Sequence, residues 1–486
     1  MATKVNDLSA VEAREAMLRV LERQKAAHLK DSPVPAAIRK DRLRRAIDLL
    51  VDHEKRLVDA MAADFGHRPT PMSRLTDIAG SIGPLKQALK HLDRWMRPDK
   101  RRPNFPFNLL GAKAWVEYQP LGVVGIISPW NFPVQLTFGP LAGVFAAGNR
   151  AMIKPSEYTP ITSELMKELF ASVYDETEVA TFTGGPEVGQ AFSGLPFDHL
   201  LFTGATSVGR HVMRAAADNL VPVTLELGGK SPVIVSRSAD IARTAERVVV
   251  GKMLNAGQIC LAPDYMLVPE EKADALTDAL AQSAAKFYPT LVGNPDYTSV
   301  VNPRHRERIE SYVTDATAKG ARAITVNPAG EDFSQQQGTN KLPLTILRDV
   351  HDQMKVMQDE IFGPVLPVMT YRQVDEAIDY VNAHPRPLGL YYFGTDAAEQ
   401  RRVLDRTTSG GVTVNDVVFH VSQEDLPFGG VGPAGMGAYH GFDGFKTFSH
   451  AKAVFRQTGV DVAKLGGVKP PYGPALDKTL AREIRK

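Results

Sequence analysis

The chain has one cysteine, Cys260, among 486 residues, so no intrachain disulfide can form. That excludes a disulfide-stapled scaffold and makes a reducing compartment the default. Charge of one sign is also scarce. Lys+Arg is 57 against Asp+Glu 55, a formal +2, which is no electrostatic footprint for nucleic acid or an anionic membrane. The one basic cluster, Arg94, Arg97, Lys100, Arg101 and Arg102 around Trp95, reads as a solvated helix end rather than a phosphate grip. Long apolar runs are missing too: residues 121–129 and 138–148 fall well short of the ~18 that a membrane helix needs. The opening MATKVNDLSAVEAREAML lacks the apolar stretch of a signal peptide. The histidines, among them His199, His211, His420, His440 and His450, show no metal-ligand spacing with the cysteine. These absences predict a soluble, cytoplasmic protein without nucleic-acid, membrane or metal chemistry.

What is present is ordinary globular material, 43% hydrophobic and 23% charged. At ~100–200 residues per domain the length allows two to four domains. The first 65 residues are helical in pattern, with Leu8, Val11, Leu18 and Leu21, then Leu43, Ile47, Leu50 and Leu57, at helix spacing. Beyond the proline-rich 102–106 the texture changes to short apolar runs: VVGIIS (123–128), AMIK (151–154), ATFT (180–183), LLFTG (200–204) and VTLEL (223–227). Helical stretches at 161–174, 208–219 and 241–254 alternate with them. Strands alternating with helices imply parallel sheets covered on both faces, an α/β architecture. A second set of strand and helix signals after residue 260 predicts a second α/β domain. The closing VKPPYGPALDKTLAREIRK reads as a tail that turns helical and packs on something.

Familiar nucleotide motifs fail. GATSVG (204–209) follows a strand and opens a helix, a natural place for a phosphate, but it lacks the middle glycine of G-x-G-x-x-G. GGKS (228–231) ends like a P-loop, yet the required first glycine is Thr224. Cys260, in NAGQICLAPD, is either a buried small hydrophobe or a nucleophile whose thiol needs a base or oriented N–H donors. Glu226 in LELGGKSP ends an apolar strand before two glycines, so it is a costly buried charge or a group with a task. Asn131, held between Trp130 and the Phe132–Pro133 turn, can offer a fixed N–H donor to an oxyanion, or simply belong to a rigid loop. The glycine-rich 426–441 suggests backbone passing close to a ligand or another subunit.

Together these segments resemble the aldehyde dehydrogenase superfamily over nearly the whole chain. The landmarks stand in the family's order: PWNFP at 129–133, KPSE at 154–157, FTGAT at 202–206, LELGGKSP at 225–232, GQICLAP at 257–263, EIFGP at 360–364 and PFGGVG at 427–432. NAGQICLAPDY, NDVVFHVSQEDLPFGGVG and GMGAYHGF carry a narrower resemblance to the class 3-like branch, nearest the coniferyl aldehyde dehydrogenases. The resemblance implies a Rossmann-like NAD-binding domain (1–110 and 122–227, with the N-terminal helices) and an α/β catalytic domain (228–440). It also implies a small β oligomerisation element with a C-terminal tail (111–121 and 441–486), making a homodimer.

Carried over to these positions, the resemblance makes Cys260 the nucleophile, Asn131 the oxyanion donor and Glu226 the base for thioester hydrolysis. Ser128, Pro129, Trp130, Lys154, Ser156, Glu157, Gly204, Ala205, Gly209, Leu227, Glu360 and Phe362 would meet the coenzyme. Ala205 stands where the family often has serine, which removes one phosphate hydrogen bond. Glu157 can bond both ribose hydroxyls and would repel a 2′-phosphate, so NAD is favoured over NADP, with NADP the permitted second coenzyme. The aldehyde pocket would lie near Phe132, Gln135, Ile259, Leu261, Phe419 and Phe428. Its phenylalanines favour an apolar, aromatic aldehyde. The implied activity is therefore NAD(P)-dependent oxidation of an aromatic, coniferyl aldehyde-like aldehyde to its acid. The alternatives are a medium- or long-chain fatty aldehyde dehydrogenase, or a coenzyme-independent thiol esterase using Cys260.

Overall fold

A computed structural model describes residues 10–485. The apolar runs read from the sequence form one six-stranded sheet. Its order runs Gly435–Met436, Val223–Leu227, His199–Gly204, Val123–Ile127, Arg150–Lys154, Val179–Thr181, all parallel except the first. Strands inside a parallel sheet are buried on both faces, and residues 123–126 and 150–154 are buried throughout. The helices Pro160–Val173 and Thr206–Ala217 between these strands, and Ile241–Met253 after them, lie within two residues of the expected bounds.

The earliest strand, Val123–Ile127, is central. The chain first builds outward through 150 and 179, then returns to its other side through 199 and 223. That reversal makes a crevice beyond the carboxyl ends of Val123–Ile127 and His199–Gly204, where open α/β sheets bind ligands. The loops carrying Asn131 and Gly204 leave from those two strand ends.

A seven-stranded sheet follows, ordered Arg322–Val326, Leu344–Arg348, Val365–Tyr371, Tyr265–Pro269, Pro232–Val235, Gly389–Phe393, Gly411–Val414, with only the first strand antiparallel. The strand Lys113–Pro120 pairs antiparallel with Ser449–Arg456 over its full length and with Asp99–Arg101, making a third, small sheet. The tail closes with the helix Pro474–Glu483.

The N-terminal reading needs adjustment. Leu8 lies outside the described residues. In the helix Ala10–Asp31 the buried stripe is Ala13, Met17, Val20 and Leu21, while Val11 is 67% exposed. The expected second helix is two, Ala36–Asp52 and Glu54–Phe65, and Leu43, Leu50 and Leu57 are fully buried across the break. The apolar stretch 138–148 is the helix Gln135–Ala147, buried on every side against the six-stranded sheet. Among the described residues no helix is long and apolar enough to cross a membrane.

Candidate active site

Cys260 sits at the end of a strained turn. After the helix Ile241–Met253, three consecutive residues take positive φ: Asn255 (50°), Ala256 (53°) and Gly257 (75°). For alanine that conformation costs free energy, and such strain persists only where the surroundings over-determine it. A Cβ on Gly257 would lie 2.4 Å from the Gly363 carbonyl oxygen, so only glycine admits this approach. The fully buried Gln258 fastens the turn. Its Nε2 donates to the carbonyls of Asn255 (2.8 Å) and Ser299 (3.1 Å), and its Oε1 accepts from the Val301 N–H at 3.0 Å.

Asn131, 3% exposed, donates one Nδ2 hydrogen to the Gln258 carbonyl at 3.1 Å. Asn255 Nδ2 in turn donates to the Asn131 carbonyl at 3.1 Å. These two bonds lock the Asn131 loop to the cysteine loop, and an amide NH₂ keeps a second hydrogen for a ligand. Glu226 is the penultimate residue of the strand Val223–Leu227 at 3% exposure, and neither carboxyl oxygen has a hydrogen-bond partner. Burial alone pushes its pKa well above the ordinary value. Burial also pushes the Cys260 thiol up to about 12, with the carboxyls of Glu360 and Glu226 adding to the effect.

Cys260, Glu226 and Asn131 line one cavity of ≈ 770 Å³. Of the residues expected to meet the coenzyme, Pro129, Trp130, Gly204, Ala205, Leu227, Glu360 and Phe362 line the same cavity. Gly209 packs beneath it, where a Cβ would lie 2.6 Å from Leu227 Cδ2. Lys154, 3% exposed at its side chain, pairs with Glu157 at 3.0 Å, and neither lines the cavity. Ser128 and Ser156 turn their hydroxyls to the protein, Ser128 accepting from Thr137 Oγ1 and Ser156 from the Tyr158 N–H. Glu360 is pressed against Gly228, whose Cβ would lie 2.1 Å from Oε2. Its Oε1 is unpartnered, and burial, with Asp264 assisting, raises its pKa to about 8.

The ring-rich side of Cys260 is packed rather than hollow. Phe132, Ile259, Leu261 and Phe428 belong with Cys260 to one apolar cluster. Leu261 faces Gly389 on the second sheet, and Gln135 lies beside Gly80 and Gly139. Phe419 is not brought in: it is 58% exposed on the short turn Phe419–Ser422.

Several site residues escaped the sequence reading. Lys230 donates to the carbonyls of Val356 and Asp359 at 2.7 and 3.0 Å and pairs with Asp264, whose Oδ1 accepts from the Ile361 N–H at 3.0 Å. That network holds the Glu360 loop. Arg308 donates to the Ile361 carbonyl at 2.8 Å, and His305 packs on Trp130 at 5.0 Å. Arg210 lines the cavity on the helix that opens after Ala205. Lys230 stood inside the failed P-loop signal; the others belong to no motif and meet only through the fold.

Residues 2–454 match the aldehyde dehydrogenase family model. The chain is 63% identical over 481 residues to a probable coniferyl aldehyde dehydrogenase of Caulobacter vibrioides, covering 99% of each. It is 55% identical over 461 residues, 95% of each, to the coniferyl aldehyde dehydrogenase of a Pseudomonas species. Among solved structures, Mycobacterium tuberculosis aldehyde dehydrogenase complexed with NAD+ superposes with TM-score 0.82 at 28% identity, covering 93% of this chain and 91% of that one.

Proposed function

Since this chain belongs to the aldehyde dehydrogenase family, we propose that it oxidises an aromatic, coniferyl aldehyde-like aldehyde to the carboxylic acid through Cys260, Asn131 and Glu226, with NAD as coenzyme. The observation that carries this reading is the carboxyl of Glu226, buried with both oxygens unpartnered in the cavity that also holds Cys260 and Asn131. A buried carboxyl without a partner is a standing cost, and it is kept where chemistry uses it.

The residues fit the coenzyme. Beyond Gly204 the helix Thr206–Ala217 begins at the cavity, with Thr206, Ser207 and Arg210 in its lining, and a helix N-terminus is a suitable seat for a pyrophosphate. The orphan Oε1 of Glu360 is an acceptor for a ribose hydroxyl, and Glu157 beside Lys154 offers the same to the adenine ribose. That carboxylate disfavours a 2′-phosphate, hence NAD before NADP. When bound, NAD would supply the hydride acceptor.

The protein's own groups then act in order. Cys260 gives up its proton to solvent as its sulfur forms a bond to the aldehyde carbon, whose C=O π pair moves onto the oxygen. The oxyanion is met by the free Nδ2 hydrogen of Asn131 and by the Cys260 backbone N–H. Hydride loss leaves a thioester on the sulfur. Glu226 in its ionised form takes a proton from water; hydroxide adds to the thioester carbon, the C–S bond breaks, the acid leaves and the sulfur takes the proton from Glu226. The rings of Phe132 and Phe428 support an aromatic substrate, and the relatives' names agree with it.

The reading extends to domain roles: the six-stranded sheet binds the coenzyme, the seven-stranded sheet carries the nucleophile loop, and the three-stranded sheet makes a homodimer. Ser449–Arg456 is an edge strand with Phe455 52% exposed, and Leu465, Val468 and Tyr472 of the tail are exposed with it. Unpaired edges and clustered apolar surface are ordinary contact material. The lone cysteine agrees with a cytoplasmic setting.

The test is NADH formation with coniferyl aldehyde, benzaldehyde and hexanal, for wild type and Cys260→Ser. We expect NADH from wild type alone and the highest kcat/KM for coniferyl aldehyde. No NADH or NADPH from any aldehyde overturns the function, and a preference for hexanal overturns the aromatic pocket.

A further inference from the structure

The reaction at the thiol leaves one deeply buried charge unused, Lys252. It stands near the end of the helix Ile241–Met253, fully buried, and its Nζ has no hydrogen-bond partner. An ammonium group taken out of water without a partner is costly, and lysines are almost never fully buried unless paired. Its backbone lies where two loops of the site meet. A Cβ on Gly257, in the nucleophile turn, would lie 3.1 Å from the Lys252 carbonyl oxygen and 2.4 Å from that of Gly363, on the loop that carries Glu360. The charged groups within electrostatic reach of Lys252 are Asp264, Lys230 and Glu360. Burial lowers its pKa to about 8, with Asp264 and Glu360 opposing the shift and Lys230 adding to it.

Matching charges across this cluster gives the lysine a task. Lys230 is paired with Asp264. Glu360 has no such pair among the described residues, and its Oε1 is unpartnered. Arg308 acts on Glu360 from the cavity side, but its N–H groups are committed to the Ile361 and Phe362 carbonyls at 2.8 and 3.4 Å and to the Tyr312 hydroxyl at 3.2 Å. Lys252 is the buried cation that remains, and it does not line the cavity. Resting on the reading that Glu360 accepts from a ribose hydroxyl of the coenzyme, we propose that Lys252 is a positioning residue whose charge keeps Glu360 ionised and thereby sets the affinity for NAD. An ionised carboxylate is a much stronger acceptor than a neutral carboxyl. Burial, with Asp264 assisting, already raises Glu360 to about 8, so loss of a nearby cation leaves more of it neutral at pH 7.

The test measures the Kd for NAD by protein fluorescence in wild type, Lys252→Met, Glu360→Gln and the double variant, with Tm of the coenzyme-free proteins beside it. At pH 7 Lys252→Met should raise the Kd about five- to tenfold while KM for aldehyde stays unchanged. Wild type and Lys252→Met should converge by about pH 9.5, where the lysine is neutral and Glu360 is ionised in both. In the Glu360→Gln background Lys252→Met should change the Kd no further, because the carboxylate it serves is gone. Methionine removes a desolvated charge, so Tm should not fall; Lys252→Gln carries the same comparison should Lys252→Met fail to fold. A Kd unchanged in Lys252→Met but raised in Glu360→Gln, or losses that simply add in the double variant, overturns the inference alone. A fall in Tm with the Kd unchanged marks a purely structural lysine and overturns it too. Unchanged NAD binding by Glu360→Gln overturns the ribose reading of Glu360 and this inference with it.

Discussion

Glu226 shows how one residue couples stability to function. Burial disfavours the charge on its carboxyl and raises its pKa well above the ordinary value. The folded state thus holds a proton that the unfolded chain releases above about pH 4.3. Stability contributed by the neutral form is present below that pH and is lost as pH rises toward the raised folded value. Glu226→Gln removes the penalty, so its Tm should gain on wild type steadily from about pH 5 to 8; parallel Tm curves would refute the buried-charge account. The same variant should keep a burst of about one NADH per site and lose steady turnover by about 10²–10⁴-fold, since only hydrolysis needs the base. Unchanged turnover would remove Glu226 from that role. The residue was legible beforehand because a carboxylate ending an apolar run before two glycines is rare enough to question. Its orphaned oxygens were not, since their partners' absence is a property of the packed interior.

One element matters for the pocket out of proportion to its length. Asp77, in the π-helical turn Arg74–Ala79, accepts from the N–H groups of Val134 and Gln135 at 3.2 and 3.3 Å, where the helix Gln135–Ala147 begins. Its other oxygen pairs with Arg68 at 2.7 Å, and both side chains are fully buried. The guanidinium also lies over the rings of Phe65 and Phe132, 5.0 and 5.2 Å from their centroids. The pair therefore fixes the loop between Asn131 and Gln135 from behind. Asp77→Ala strands a buried cation, at a cost of about 3–5 kcal/mol. We expect a large fall in Tm and in kcat/KM for aldehyde, with a smaller change in KM for NAD. Adding Arg68→Met should recover part of the stability, and a double variant no better than the single would contradict the ion-pair explanation. Nothing in the sequence marked this pair, because HRPTPMSRLTD resembles no motif and its target lies nearly sixty residues downstream.

For the molecule as a whole, the proposed homodimer puts the three-stranded sheet to the test. Light scattering should give about twice 53.1 kDa, and Phe455→Asp, placing a charge on the exposed edge strand, should shift the mass toward the single chain. A monomeric wild type would refute the dimer, and a dimer untouched by Phe455→Asp would move the interface elsewhere. The sequence by itself determined the α/β class and five of the six strands of the first sheet, and it supplied the candidates for catalysis and for coenzyme binding. Periodicity and ordered motifs are local, and buried parallel strands must read as short apolar runs. Only the tertiary structure decided that Gln258 and Asn255 lock the Asn131 loop to the cysteine loop, that Lys230 and Asp264 hold Glu360, and that Phe419 stands in solvent. Those outcomes depend on which residues distant in sequence meet once the sheets are stacked, and on which buried polar atoms are left without a partner, properties of packed geometry that no stretch of chain carries alone.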